Sequence, residues 1–134
     1  DMVQRLLAAA RRGVAVRIVV AETSNNEYAE AALSHHYRDL IDAGVEVWEY
    51  PSAVVHAKVV VADDAVVFGT VNFDAWALYR DFELAMIVED PATVELFESR
   101  VFEPDIARSQ PGRPPSGVVD RVTAWMWDKF GYFL

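Results

Sequence analysis

The chain has 134 residues, 12 Lys and Arg against 21 Asp and Glu, a net charge of −9 and no cysteine. That length suits one compact domain with a real core. The acidic balance argues against a broad nucleic-acid surface, which needs a positive footprint, and the missing cysteines exclude disulfides and thiolate metal sites. The histidines are His35, His36 and His56, without the HExxH spacing of a zinc site, so neither a metal nor another cofactor is expected. No secretory leader and no apolar run of about eighteen residues is visible. The opening stretch, DMVQRLLAAARRG, already has helical spacing, so the expectation is a start cut from a longer polypeptide.

In chain order, Val3, Leu6, Leu7 and Ala10 predict a helix over residues 2–12, stopped by Gly13. The β-branched run VAVRIVVAE predicts a strand. TSNNEYAEAALSHHYRDLIDAG opens on capping residues, with Asn25 and Asn26 as caps, and runs helically to Gly44. VEVWEY is a second strand, ended by Pro51, with one face of the Trp48 and Tyr50 alternation in the core. Residues 55–62 and 65–68 predict two strands joined by a tight turn at Asp63 and Asp64. NFDAWALYR suggests a short helical turn, FELAMIVE a further strand, and the run after Pro91, ATVELFESRVFEPDIARS, a helix. The sum is an α/β domain, layered α-β-α around a mixed sheet. Composition divides it into a folded α/β part over 1–108, a linker over 109–117 (SQPGRPPSG) and a C-terminal amphipathic aromatic segment over 118–134.

The chemistry concentrates in VVHAKVVVADDAVVFGTVN. On a strand, His56 and Lys58 project from one face. A lysine at the edge of a valine core is costly unless its charge meets an anion, and phosphate oxygens suit an ammonium. An imidazole beside it serves as nucleophile or general acid/base. Gly69 permits close backbone approach, and Thr70 and Asn72 offer a hydroxyl and an amide. Glu83 on the next strand is the candidate to orient the His56 ring, as the third member of a triad does. Together these point to metal-free phosphoryl chemistry.

His56-x-Lys58-x4-Asp63 followed by Gly69-Thr70-x-Asn72 resembles the HKD motif of the phospholipase D superfamily. The stretches AARRGVAVRIVV, LIDAGVEVWEY, HAKVVVADD, GTVNFDAWAL and RDFELAMIVED are similar to the second catalytic half of the bacterial cardiolipin synthase branch. The resemblance implies two HKD motifs at one active site, one histidine forming a phosphohistidine while the other protonates the leaving alcohol. It implies that Lys58 and Asn72 hold phosphate oxygens and that Asp63 is structural. The chain carries one such motif, hence half of a site, the other half lying upstream in the same polypeptide or in a second copy. It departs from the pattern in a shorter gap between Asp63 and Gly69, in Thr70 where serine is commoner, and in Trp76-Ala77 where Arg-Ser is usual.

The function so implied is phosphatidyl transfer or phosphodiester hydrolysis on anionic phospholipids, without cofactor, in a bacterial cytoplasmic membrane-associated setting. Two alternatives stand beside it: a single-motif phosphodiesterase or nuclease active as a homodimer, and a non-catalytic membrane-binding scaffold half. Nucleic acid is disfavoured as a partner by the charge. His35 and His36 are expected on a solvated helix face and Asp64 in an exposed turn. Residues 118–134 place Val118, Val119, Val122, Trp125, Met126, Phe130 and Phe133 in an apolar stripe. That stripe suits a membrane interface or a helix docked on protein, and both remain open.

Overall fold

The computed structural model describes residues 2–23, 27–51, 55–72 and 80–130, with residues 27–30 and 130 described by backbone alone. Contacts divide the chain into two compact units, Asp1–Val54 with Ser109–Leu134, and Val55–Arg108.

The first unit begins with α1 (Met2–Arg11), whose apolar stripe turns Leu7 into the core, and Gly13 ends it at φ 91°. Strand β1 (Arg17–Ala21) then runs parallel to β2 (Glu46–Tyr50), pairing Arg17 with Glu46 through Ala21 with Tyr50. Parallel strands need a crossover, supplied here by α2 (Glu27–His35) and α3 (Tyr37–Asp42). The expected single helix is broken at His36, which is a turn residue between them. Gly44, at φ 92°, closes α3 with its N–H on the Ile41 carbonyl, while the Val45 N–H reaches Leu40. This is the helix stop that a left-handed glycine provides. Leu7, Tyr37, Leu40, Val45 and Val47 form the buried cluster, flanked by Val3, Leu6 and Ile18 among others.

The proline-rich stretch after Arg108 does more than link. Gln110–Pro111 forms β6, antiparallel to β2, with Trp48 opposite Pro111 and Glu49 opposite Gln110. The Gly112 N–H then donates to the Val47 carbonyl at 2.8 Å. Gly112 is buried so closely that a Cβ there would lie 2.9 Å from Val47 Cγ1 and 3.2 Å from Tyr37 Cε2. Composition marked this segment as a linker, whereas backbone pairing and a close-packed glycine tie it to β2. The helix beyond, numbered α6 (Val118–Phe130), packs against α2.

In the second unit, β3 (Val59–Ala62), β4 (Ala65–Gly69) and β5 (Ala85–Val88) form an antiparallel meander in the order β3-β4-β5. Val66 is fully buried, and Phe68 stacks on Phe97 at 5.5 Å, which seats α4 (Pro91–Phe97) on β4. Asp90 caps α4, accepting from the Thr93 N–H at 2.9 Å and the Thr93 hydroxyl at 2.6 Å. Those bonds hold its carboxyl below the usual range. The predicted long helix is three pieces: α4, a π-helical stretch at Glu98–Phe102, and α5 (Glu103–Arg108). The α/β class and mixed pairing expected from the sequence are observed, with the described strands grouped into two three-stranded sheets. The expected helical turn in NFDAWALYR, and the capping residues Asn25 and Asn26, lie outside the described residues.

His36 departs from the solvated face expected of it. Its Nε2 lies 2.7 Å from Asp128 Oδ1, and the ring is the donor because a carboxylate only accepts. Lys129 Nζ lies 2.7 Å from the other carboxylate oxygen. Burial pushes the Asp128 carboxyl up, but the bonds from Lys129 and His36 outweigh it and the net shift is downward. A lowered native value stabilises the fold above the ordinary carboxylate range, and that contribution is lost as pH falls through the lowered value. Asp128→Asn is therefore expected to cost about 1–2 kcal/mol at neutral pH. In urea titrations the deficit should shrink as pH drops below the ordinary value of 3.8 and vanish beneath the native one.

Candidate active site

The HKD-like stretch is organised by the β3–β4 hairpin. Ala62 pairs with Ala65 across a two-residue turn, in which Asp63 takes a left-handed φ of 50°. Asp tolerates that region better than most residues, and tight hairpin turns call for it. From there the register runs back to Val59 opposite Phe68. One further bond, from the Gly69 N–H to the Lys58 carbonyl at 3.2 Å, carries the pairing past the end of β3. The two halves of the motif meet here, with Lys58 at the level of Gly69.

Residues 55–58 lie before the strand, not within it as the alternation argument supposed. His56 is exposed and Lys58 partly buried, and the Lys58 ammonium donates to the His56 carbonyl at 2.9 Å. What holds the two near each other is thus a side-chain-to-backbone bond rather than strand geometry. Among the described residues no carboxylate pairs with Lys58, so its charge remains available to an anion.

The Gly-Thr-Val-Asn end is fixed from the other side by β5. Gly69 sits opposite Ala85, so near that a Cβ on it would lie 2.0 Å from the Leu84 carbonyl oxygen and 2.9 Å from Ala85 Cα. The Thr70 N–H donates to the Leu84 carbonyl at 2.9 Å, and the Leu84 N–H donates to Thr70 Oγ1 at 3.0 Å. These bonds set Glu83 beside the threonine, and the Thr70 hydroxyl donates to its carboxylate. The sequence suggested Glu83 as the orienter of His56. In the fold its partner is Thr70, and no hydrogen bond joins it to the His56 ring. Asn72 is exposed, and its side chain makes no hydrogen bond to another described residue. Sequence reasoning did not foresee Leu84, whose main chain clamps Thr70 at both ends; a backbone role of this kind leaves no signature in residue type.

The arrangement therefore has His56 and a Lys58 ammonium bonded to no described carboxylate just before β3, and Thr70, its hydroxyl tethered to a carboxylate, with Asn72 just after β4. Among the described residues no group of His, Asp and Glu side chains is placed to hold a metal ion. Outside this cluster, burial raises the Glu49 carboxyl on β2 above its usual value, and hydrogen bonds from Tyr37 and Arg113 only partly offset it.

The family described as cardiolipin synthase, PLD-like domain, matches residues 1–105. This chain belongs to the phospholipase D superfamily. A protein of Streptococcus mutans is 40% identical over 86 residues, 63% of this chain and 19% of that one. Cardiolipin synthase A of Yersinia pseudotuberculosis is 30% identical over 91 residues, 67% of this chain and 19% of its own length. The chain thus spans about a fifth of these relatives. Among solved structures, the phospholipase D family member Nuc from Salmonella typhimurium superposes with a TM-score of 0.69 at 24% identity, over 84% of this chain and 74% of that one. The archaeal chromatin protein TrmBL2 superposes at 0.59 with 18% identity, over 84% of this chain and 41% of that one. Both likenesses show the fold. Superfamily membership sets the phospholipase D-like chain among phosphodiesterases and transferases.

Because Gly69 faces the Leu84 carbonyl directly, Gly69→Ala should push β5 from β4 and destabilise the chain by about 1–3 kcal/mol. Chemical denaturation of the variant checks this, and an unchanged midpoint would contradict the close approach.

Proposed function

We propose that the chain supplies one half of a two-motif active site that cleaves and transfers phospholipid phosphodiesters, in the manner of a cardiolipin synthase. The observation that carries this is the bond between the Gly69 N–H and the Lys58 carbonyl, which supports a shared site for His-x-Lys and Gly-Thr-x-Asn. His56 acts as nucleophile or as general acid. As nucleophile, its ring nitrogen forms a bond to phosphorus while the bond to the leaving alcohol oxygen breaks. The histidine of the second motif protonates that oxygen. An acceptor alcohol, or water, then displaces the histidine and returns its proton to the same general acid.

Lys58 and Asn72 hold the phosphate oxygens, a cation and a neutral donor on charge that grows as the transition state forms. Thr70 is a further hydroxyl contact, and Glu83 holds it in place. The expected substrates are anionic glycerophospholipids. The net charge of −9 repels them at long range, so Lys58, its charge matched by no carboxylate among the described residues, is what makes local capture favourable. The second motif comes from the same polypeptide or from a second copy. Among the described residues no helix is long and apolar enough to cross a membrane, so a membrane-associated setting rests on surface contact or on other parts of a longer protein.

A second version fits the single motif in this sequence: a free-standing single-motif phosphodiesterase, with a fold like that of the phospholipase D family member Nuc. Here two copies of this chain build the site.

Turnover of phosphatidylglycerol by this chain, and by a longer polypeptide with both motifs, decides between the two. His56→Ala should lower turnover by at least about 10²–10⁴-fold wherever activity is found. Activity confined to the longer polypeptide supports the two-motif synthase, and activity of this chain as a dimer supports the second version. Turnover that survives His56→Ala would overturn the role given to His56.

A further inference from the structure

Helix α6 is mounted with its polarity reversed for a helix on a water-soluble surface. It packs on α2 through a narrow face, where Ala124 is 2% exposed and Asp128 meets His36. Its broad apolar face points outward, with Val118 68%, Val119 76%, Val122 51%, Trp125 46% and Met126 47% exposed. At about 100° per residue these five side chains fill an arc of roughly 120° opposite Ala124. Lys129 falls within the arc at its C-terminal end, its ammonium turned back to Asp128.

One border of this arc is cationic. Arg121 lies about 40° of helical rotation beyond Trp125, on the side that leads to an open cleft of about 230 Å³. The cleft is lined by His35, Arg38, Asp39, Pro114, Pro115 and Arg121. Two guanidinium groups thus face one carboxylate, in a chain whose overall charge is strongly negative. An aliphatic and tryptophan-bearing face with arginines at its rim matches a layer that is apolar inside and anionic at its surface. Arginine stems lie along apolar surface while their heads reach phosphates.

From the placement of this arc beside the arginine cleft we infer that α6 is a docking surface for an anionic phospholipid membrane. Val122, Trp125 and Met126 enter the interfacial layer, and Arg38 and Arg121 take headgroup phosphates. The helix lies in the plane of the interface and does not span it. The inference does not depend on the chemistry assigned to His56, and rests on the proposed function only for the choice of phosphatidylglycerol as the anionic lipid.

The test is binding of this chain to sedimented vesicles, without turnover, so that it succeeds or fails whether or not His56 transfers a phosphatidyl group. Vesicles of phosphatidylglycerol mixed with phosphatidylcholine are compared with phosphatidylcholine alone. The expectation is binding to the mixed vesicles that Val122→Asp with Trp125→Asp abolishes, both positions being exposed enough to leave the fold intact by circular dichroism. Arg38→Glu with Arg121→Glu should weaken binding to the mixed vesicles by about tenfold or more and remove the preference for them. Equal binding to both vesicle types, or binding unaffected by either pair of substitutions, would overturn the inference. So would a dimer in solution that Val122→Asp dissociates, since the face would then belong to a second copy.

Discussion

The two-residue turn at Asp63 and Asp64 is the constraint on which the second unit depends. With Ala62 fixed opposite Ala65, every later pair across β3 and β4 follows, as far as Lys58 at the level of Gly69. A slip of one residue would turn each side chain to the other face of the sheet. It would place fully buried Val66 where its half-buried neighbours Ala65 and Val67 now stand, and it would part the lysine from the glycine-threonine corner. Phe68 guards against such a slip from the far side, because its stacking on Phe97 exists in one register only. The turn chemistry and the core thus enforce the same alignment that the candidate site requires.

A second level of fixation comes from β5. Gly69, Thr70 and Leu84 are joined by backbone bonds and by one hydroxyl, so the corner of the motif is held mostly by main-chain groups. That leaves Lys58 and Asn72, the groups assigned to a ligand, uncommitted to other side chains. Glu83 stands between the two roles: it is a charged group, yet its partner is a threonine hydroxyl within the same corner. Its influence on chemistry would pass through Thr70.

Much of this was legible in the sequence. Gly13 and Gly44 stop their helices because only glycine takes their backbone angles at little cost. The β-branched runs gave β1, β3 and β4, and the paired aspartates gave the hairpin turn. The motif spacing identified the superfamily. Three features were hidden for physical reasons. The break at His36 has no glycine or proline to mark it, and the bond to Asp128 joins residues far apart in the chain. Strand β6 is only two residues long and contains a proline, so its propensity was outweighed by the tertiary fit of Gly112 against Val47 and Tyr37. The partner of Glu83 depended on a bond between Leu84 and Thr70 that any residue at position 84 with an N–H could make.

The return of Gln110 and Pro111 to β2 makes the first unit discontinuous in sequence, with all of Val55–Arg108 inserted between its parts. A chain cut at the end of the matched family region, near residue 105, would keep the whole motif but lose β6 and α6. Val47 and Tyr37 would then lose Gly112 as a cover, and His36 would lose its carboxylate. The inserted unit is built from neighbouring strands and needs little chain closure, whereas the first unit must close a loop as long as that insertion before its last strand can pair. During synthesis, the piece bearing the motif can therefore complete its own hydrogen bonding while the unit around it still waits for its final strand.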